Sequence, residues 1–210
     1  MSQVRVVNHP LVQDRLTRLR DKTTQHGNFR EAMSSIAYLL YYEAMQNAPT
    51  IKTQIETPLA PLTAESLAPN IVLVAILRAG LGFLDGILHH APEARVGYLG
   101  LKRDPMTLEA ISYYSNLPNI DVNDSIFVLD PMLATGHTAV AALKTLQETG
   151  VKSIHLISLL ASPQGIETVT NAFPDIKITV AAIDPILDQR GYILPGLGDA
   201  GDRLYGTMGH

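Results

Sequence analysis

The segment 125–139, SIFVLDPMLATGHTA, runs from an apolar stretch into an acidic residue, then a turn of small and hydroxylated residues, then an Ala-rich stretch. Wrapped into a turn, Ala134, Thr135, Gly136, His137 and Thr138 would aim several backbone N–H groups and two hydroxyls into one concavity at a helix N-terminus, an arrangement suited to phosphate. Asp130, just before the turn, is placed to accept hydrogen bonds from the vicinal hydroxyls of a sugar whose phosphate sits in that concavity. Pro131, Met132 and Leu133 join the two. The alternative is a strand-to-helix turn in which Gly136 serves geometry alone, because glycine turns of this type are common in α/β chains.

Two further segments carry candidate chemistry. In Leu77-Arg78-Ala79-Gly80 a guanidinium stands beside small residues after an apolar run, and in Lys102-Arg103-Asp104 a second cation follows another such run. Arg78 and Arg103 suit a pyrophosphate, since the planar guanidinium donates bidentately and keeps its charge at any ordinary pH; ordinary surface charge is the alternative for either. The stretch 184–207, DPILDQRGYILPGLGDAGDRLYGT, is too rich in Gly and Pro for a regular helix or strand, yet it lacks the composition of a disordered tail. It is suited to presenting main-chain groups to the edge of a flat base, or else it is a surface loop.

The elements that must position these residues follow from periodicity. Apolar spacing predicts helices over 11–20 and 29–48, which makes the N-terminal part, about 1–50, helical. Residues 71–77 (IVLVAIL) and 125–129 (SIFVL) are short runs of the fully buried parallel-strand type, ending at Arg78 and Asp130. Strands at 95–101, 154–160 and 177–183 alternate with helices at 81–90, 138–149 and 164–172, and 107–120 is expected to be a hairpin or flap. Such alternation predicts an α/β fold with a doubly wound, mainly parallel sheet flanked by helices, in which ligands bind beyond the carboxyl ends of the strands. Residues 1–210 are expected to form one domain.

Composition removes several classes. The chain has 46% hydrophobic and 17% charged residues, a formal charge of -4 and no cysteine, which argues against a nucleic-acid backbone as partner and excludes disulfides and thiolate sites. No apolar stretch reaches the roughly 18 residues of a membrane span, and the N-terminus lacks the pattern of a signal peptide; the expected location is the cytoplasm. No G-x-x-x-x-G-K-[ST] loop occurs, and GLGD at 196–199 and AGLGF at 79–83 fall short of a dinucleotide fingerprint. His89, His90 and His155 lack paired metal-ligand spacing and are expected to be structural.

Taken together, VAILRAGLGF at 74–83, VLDPMLATGHTA at 128–139 and GYILPGLGDAGDRLYGT at 191–207 resemble the uracil phosphoribosyltransferase family, with similarity running from NHPLV at 8–12 onward. The resemblance implies a type I phosphoribosyltransferase fold and Mg2+-dependent formation of UMP and pyrophosphate from uracil and 5-phosphoribosyl pyrophosphate (PRPP). By matched motif, Arg78 and Arg103 would hold pyrophosphate, and 130–138 would hold ribose and 5'-phosphate. Ile193, Gly198, Asp199 and Ala200 would hold uracil through main chain, with Asp199 also near the donor. Magnesium would be held mainly by PRPP and water. The resemblance also implies a homodimer or higher assembly, a GTP effector in some relatives, and a hood formed by the N-terminal part and 184–207.

Two residues depart from the wider pattern. His137 stands where the family usually has a second glycine, so a positive φ cannot be assumed there, and Pro131 stands where a second acid is common in type I relatives. A non-catalytic module that binds nucleotide, or a regulator that keeps the fold and binds nucleotide or RNA, remains the alternative to an enzyme.

Overall fold

Alternating apolar runs of β and α character build a layered α/β structure. The computed structural model describes residues 3–68, 70–103 and 110–207. In chain order these form β1 (Gln3–Val6), α1 (Pro10–Arg20), α2 (His26–Ala44), β2 (Thr50–Glu56), β3 (Pro61–Leu67), β4 (Ile71–Leu77), α3 (Leu81–Leu88), β5 (Arg95–Arg103), β6 (Ala110–Asn116), β7 (Ser125–Leu129), β8 (Met132–Leu133), α4 (His137–Gln147), β9 (Ser153–Ala161), α5 (Pro163–Ala172), β10 (Lys177–Ile183), β11 (Ile186–Leu187), β12 (Ile193–Leu194) and α6 (Ala200–Tyr205). The main sheet runs β1-β10-β9-β7-β4-β5-β6, with β8 paired to the end of β9. Every pairing in it is parallel except β5–β6.

Because successive side chains of a strand point to opposite faces, each central strand feeds two cores. From β4, Leu73 and Ala75 pack with α1, α2 and α3, while Val72, Val74 and Ile76 pack with Leu143 and Leu146 of α4 and Val169 of α5. All five β4 side chains are buried, each large aliphatic one worth about 1.5–3 kcal/mol. Such two-sided burial is why the strand reads as an unbroken apolar run.

The N-terminal region differs from the helical expectation. Residues 3–6 are a strand, parallel to β10, and 50–67 form the antiparallel hairpin β2–β3. Helix α2 starts three residues before the expected boundary and stops at Ala44, with Met45 as its C-cap. Asn47-Ala48-Pro49 follows, and a residue before proline is pushed out of helical geometry. Of the expected 107–120 hairpin or flap, 110–116 form the edge strand β6, whereas residues 104–109 and the Arg103 side chain lie outside the described residues. No helix among the described residues is long and apolar enough to cross a membrane.

The C-terminal tail also departs from the irregular loop expected. It contains the pair β11–β12 and the one-and-a-half-turn helix α6. Asp188 closes the turn between the two strands, its carboxylate accepting from Arg190 N at 2.9 Å and Tyr192 N at 2.8 Å. The tail is tied to the N-terminal helices by charged side chains. Arg20 grips Asp184 with two 2.7 Å bonds and donates to the Gly196 carbonyl, while Gly196 N–H returns a 2.9 Å bond to Asp184. Arg203 lies 4.3 Å from the Phe29 ring and donates to the carbonyls of Leu19, Asp21 and Leu197.

Burial opposes ionisation of Asp184, but the bonds from Arg20 and Gly196 and the Arg20 charge outweigh it and hold the carboxyl below the usual carboxylate range. A folded-state value below the unfolded one stabilises the fold above the ordinary 3.8 and is lost as pH falls through the lowered value. Asp184→Asn should therefore lower Tm at neutral pH, by an amount on the order of 3 kcal/mol of stability, and flatten the acid limb of Tm against pH. An unchanged acid limb would show that this carboxylate does not anchor the tail.

Candidate functional site

Strand β7 ends at Leu129, and Asp130 follows with its N–H bonded to Ile157 of β9 at 3.2 Å. Its carboxylate accepts from Met132 N–H at 3.4 Å. Between Asp130 and α4 the chain is not a free loop: Met132 and Leu133 pair with Leu160 and Ala161. Pro131 and Leu133 are buried, and their carbonyls already accept N–H groups from Leu159, Leu160 and Ser162. These two residues thus shape the turn, while Met132, Ala134 and Thr138 are turned toward open space.

Gly136 has φ 85° and caps α4, and His137 is the first helical residue. The departure at 137 therefore places no side chain at a left-handed position; the one positive φ in this turn is at Gly136, where glycine bears it at little cost. A Cβ at Gly136 would also come within 2.8 Å of the Gly165 carbonyl and Thr168 Cβ. Thr135 is 6% exposed.

The turn rests on α5, a contact that the sequence did not advertise. Ser162, 1% exposed, caps that helix: its hydroxyl accepts from Gly165 N–H at 2.9 Å and donates to the Ala134 carbonyl at 2.6 Å. Its own N–H bonds the Leu133 carbonyl at 2.9 Å. A Cβ on Gly165 would lie 2.4 Å from the Ala134 oxygen, so only glycine permits this approach. The signal in sequence was the Ser-Pro-x-Gly start of a helix, which reads as an ordinary N-cap.

Across from the turn stands the tail. Met132, Ala134 and Thr138 line a cavity of about 370 Å3 together with Arg190, Gly191, Tyr192, Ile193, Gly198, Asp199 and Ala200. That volume lies in the range of small-molecule sites. Ile193 and Ala200 are each 3% exposed and pack in the core beside the cavity, and Gly198 turns the chain with φ 81°. Asp199 caps α6, accepting from Asp202 N–H at 2.8 Å. Arg190 and Tyr192 were not singled out from sequence; the guanidinium lies 5.3 Å from the Tyr192 ring, and the Asp188 turn presents both.

Arg78, immediately after β4, is exposed and reaches Asp202 of α6 with a 3.2 Å bond. Its carbonyl accepts from Tyr205 Oη at 3.3 Å. The Leu77–Arg78 and Leu194–Pro195 peptide bonds are cis. The 132–138 turn and 190–200 thus share one cavity, whose lining includes neither Arg78 nor Asp130; Arg78 is joined to the tail through α6. His90 and His155 lie elsewhere: His90 stacks on Tyr38 at 3.5 Å, and His155 bonds Thr179 at 2.8 Å. Burial, aided by Lys177, pushes the His155 imidazole down to about 4.

The sequence matches the family described as Uracil phosphoribosyltransferase over residues 6–207. The chain belongs to this family. A uracil phosphoribosyltransferase from Halalkalibacterium halodurans is 48% identical over 99% of this chain and all of that protein. One from Caulobacter sp. is 49% identical over the same shares. Among solved structures, the AQ2163 protein of Aquifex aeolicus superposes with a TM-score of 0.95 at 35% identity, covering 99% of this chain and 100% of that one. A hypoxanthine-guanine phosphoribosyltransferase from Bacillus anthracis shares the fold alone, with a TM-score of 0.52 at 13% identity over 75% of this chain and 80% of that one. The fold is that of the type I phosphoribosyltransferases.

If Ser162 holds the turn at its working shape, Ser162→Ala should raise KM for a phosphate-bearing substrate about tenfold, the loss expected when a buried donor and acceptor are stranded. Ser162→Thr, which keeps the hydroxyl, should restore most of it. Equal defects in both variants would assign Ser162 to packing alone.

Proposed function

We infer that the chain carries out its family's reaction in the cavity beside α6, moving the 5-phosphoribosyl group from PRPP to uracil and releasing UMP and pyrophosphate in pyrimidine salvage. The observation that carries this reading is the meeting, at one cavity, of the small-residue turn after β7 with the main-chain-rich tail, while Arg78 stands at the tail's short helix. In this reading the N–H groups of 134–138 and the hydroxyls of Thr135 and Thr138 hold the 5'-phosphate. Asp130 holds the ribose hydroxyls. Ile193, Gly198 and Ala200 hold uracil by main chain, and exchanging its O4 and N3–H for the amino group and bare nitrogen of cytosine reverses two bonds, a mismatch that can discriminate by ~10^4.

Departure of pyrophosphate leaves positive charge at the anomeric carbon, so the principal task is to neutralise the leaving group, a task for Arg78 and Arg103. No covalent nucleophile is required. Holding base and sugar at near-attack distance contributes a further ~7 kcal/mol in a well-oriented case. Asp199 is fixed by its capping bond, which supports a role in orienting the base.

Magnesium belongs to the same proposal. Among the described residues no group of three or more His, Asp or Glu side chains is arranged to hold a metal; the single carboxylate of Asp130 at the sugar position fits an ion carried mainly by PRPP oxygens and water. When bound, it would add positive charge at the leaving pyrophosphate. Residues 184–207 and the N-terminal helices act as a hood over the base, a reading supported by the Arg20–Asp184 clasp.

The proposal includes a cytoplasmic homodimer. Its support is the β2–β3 hairpin, where cross-strand pairing puts Ile51, Thr53, Ile55, Leu62, Ala64 and Ser66 on one face. Ile51, Ile55 and Leu62 are 47%, 43% and 49% exposed, and an isolated hairpin is marginal in water unless that face is covered. Ile55→Lys should shift the assembly toward monomer in light scattering after size exclusion; an unchanged mass would remove the hairpin from the contact.

Incubation with PRPP, Mg2+ and a panel of bases should yield UMP and pyrophosphate from uracil. Arg78→Ala should cut kcat/KM by about a hundredfold or more, the scale of removing one transition-state donor. UMP binding without pyrophosphate release would instead favour a nucleotide-binding module. Adding GTP to the same assay reads out the effector response.

A further inference from the structure

Helix α6 touches Arg78 at two points. Asp202 accepts from Arg78 Nη2 at 3.2 Å, and Tyr205 Oη donates to the Arg78 carbonyl at 3.3 Å. The same helix begins at Asp199, which lines the cavity and accepts the Asp202 N–H at 2.8 Å. One bonded path therefore runs from the base side of the cavity, through the first turn of α6, to the guanidinium after β4. Asp202 is the fixed partner in its pair: its side chain is 18% exposed against 55% for Arg78, and its carboxylate is also held by the Thr207 hydroxyl.

We propose that Asp202 is a positioning residue for the leaving group, holding the Arg78 guanidinium aimed at pyrophosphate and linking that aim to the helix that carries the base loop. The proposal rests on Arg78 as a pyrophosphate ligand. An exposed arginine has large rotamer freedom, and a fixed carboxylate removes much of it before the substrate arrives. Guanidinium carries five N–H donors, so occupation of Nη2 by Asp202 leaves others to fork onto phosphate oxygens. The carboxylate also subtracts from the positive field that the phosphate meets. Solvent around Arg78 screens that repulsion strongly, whereas the loss of orientation is not screened, so orientation is the larger effect.

The nearest structural alternative is that Asp202 merely supports α6. A double-mutant cycle separates the two. On the full chain, kcat and the KM of each substrate would be measured for wild type, Arg78→Ala, Asp202→Ala, Asp202→Asn and the Arg78→Ala/Asp202→Ala pair. Asp202→Ala should raise KM for PRPP about tenfold and lower kcat, a coupling within the range for contacting groups, while leaving KM for uracil at saturating PRPP within about twofold. Asp202→Asn, which keeps an acceptor oxygen for Nη2, should fall between. In the Arg78→Ala background, removing Asp202 should change nothing further.

Equal losses in both backgrounds, or a rise in KM for uracil in step with that for PRPP, would overturn the proposal in favour of support of α6. Arg78→Ala impaired with both Asp202 variants at wild-type values would overturn it while the reading of Arg78 stands. If Arg78→Ala leaves PRPP kinetics unchanged, that reading falls and this inference with it. Should Asp202→Ala not fold, the cycle runs with Asp202→Asn, and additivity there overturns the proposal in the same way.

Discussion

Parallel pairing of β4 with β7, from Ile71 opposite Ser125 to Ala75 opposite Leu129, puts two chain segments far apart in sequence side by side and ends them at the same edge. Everything chemical in the molecule hangs on that adjacency. In a parallel sheet all connections out of the strands leave from one end, so the cation after β4 and the turn after β7 must open on the same side. Both strands are buried on both faces, which makes a slip of register costly: one residue of slip would turn each apolar side chain to the wrong core.

The turn after β7 is shaped by an element that follows it in the chain. Its backbone is not held by its own hydrogen bonds alone. It is braced from behind by Ser162 and by the close approach of Gly165, so its shape depends on the start of α5. Gly136 supplies the single left-handed residue, after which His137 enters α4 with helical geometry. A helix N-terminus following such a turn already favours negative charge.

The tail answers a different need. A segment rich in Gly and Pro withholds main-chain groups from regular pairing, which leaves it short of stabilising bonds. Here the deficit is offset by side chains that join the tail to the N-terminal helices: Arg20 through Asp184, Arg30 through the Leu204 carbonyl, and Arg203 of the tail reaching back to Leu19 and Asp21. These bonds span most of the chain, so the tail side of the cavity is set by contacts between the two ends of the chain.

Local pattern alone determined a good deal. The boundaries of β4, β7 and β10 read from apolar runs coincide with 71–77, 125–129 and 177–183, because two-sided burial writes itself directly into composition. The strand-to-helix turn at 134–138 was also legible, since glycine and small hydroxylated residues between an apolar run and an Ala-rich stretch mark such a junction. What stayed hidden was whatever depends on a partner distant in sequence. Strand β1 is four residues long and exists through pairing with β10; the β2–β3 hairpin lacks a tight-turn dipeptide of the usual kind. Ser162 reads as a helix cap and Asp202 as a surface acid until folding brings each against a functional segment. Periodicity and turn chemistry are properties of neighbours along the chain, whereas which carboxylate meets which guanidinium is fixed only when the sheet order has been chosen.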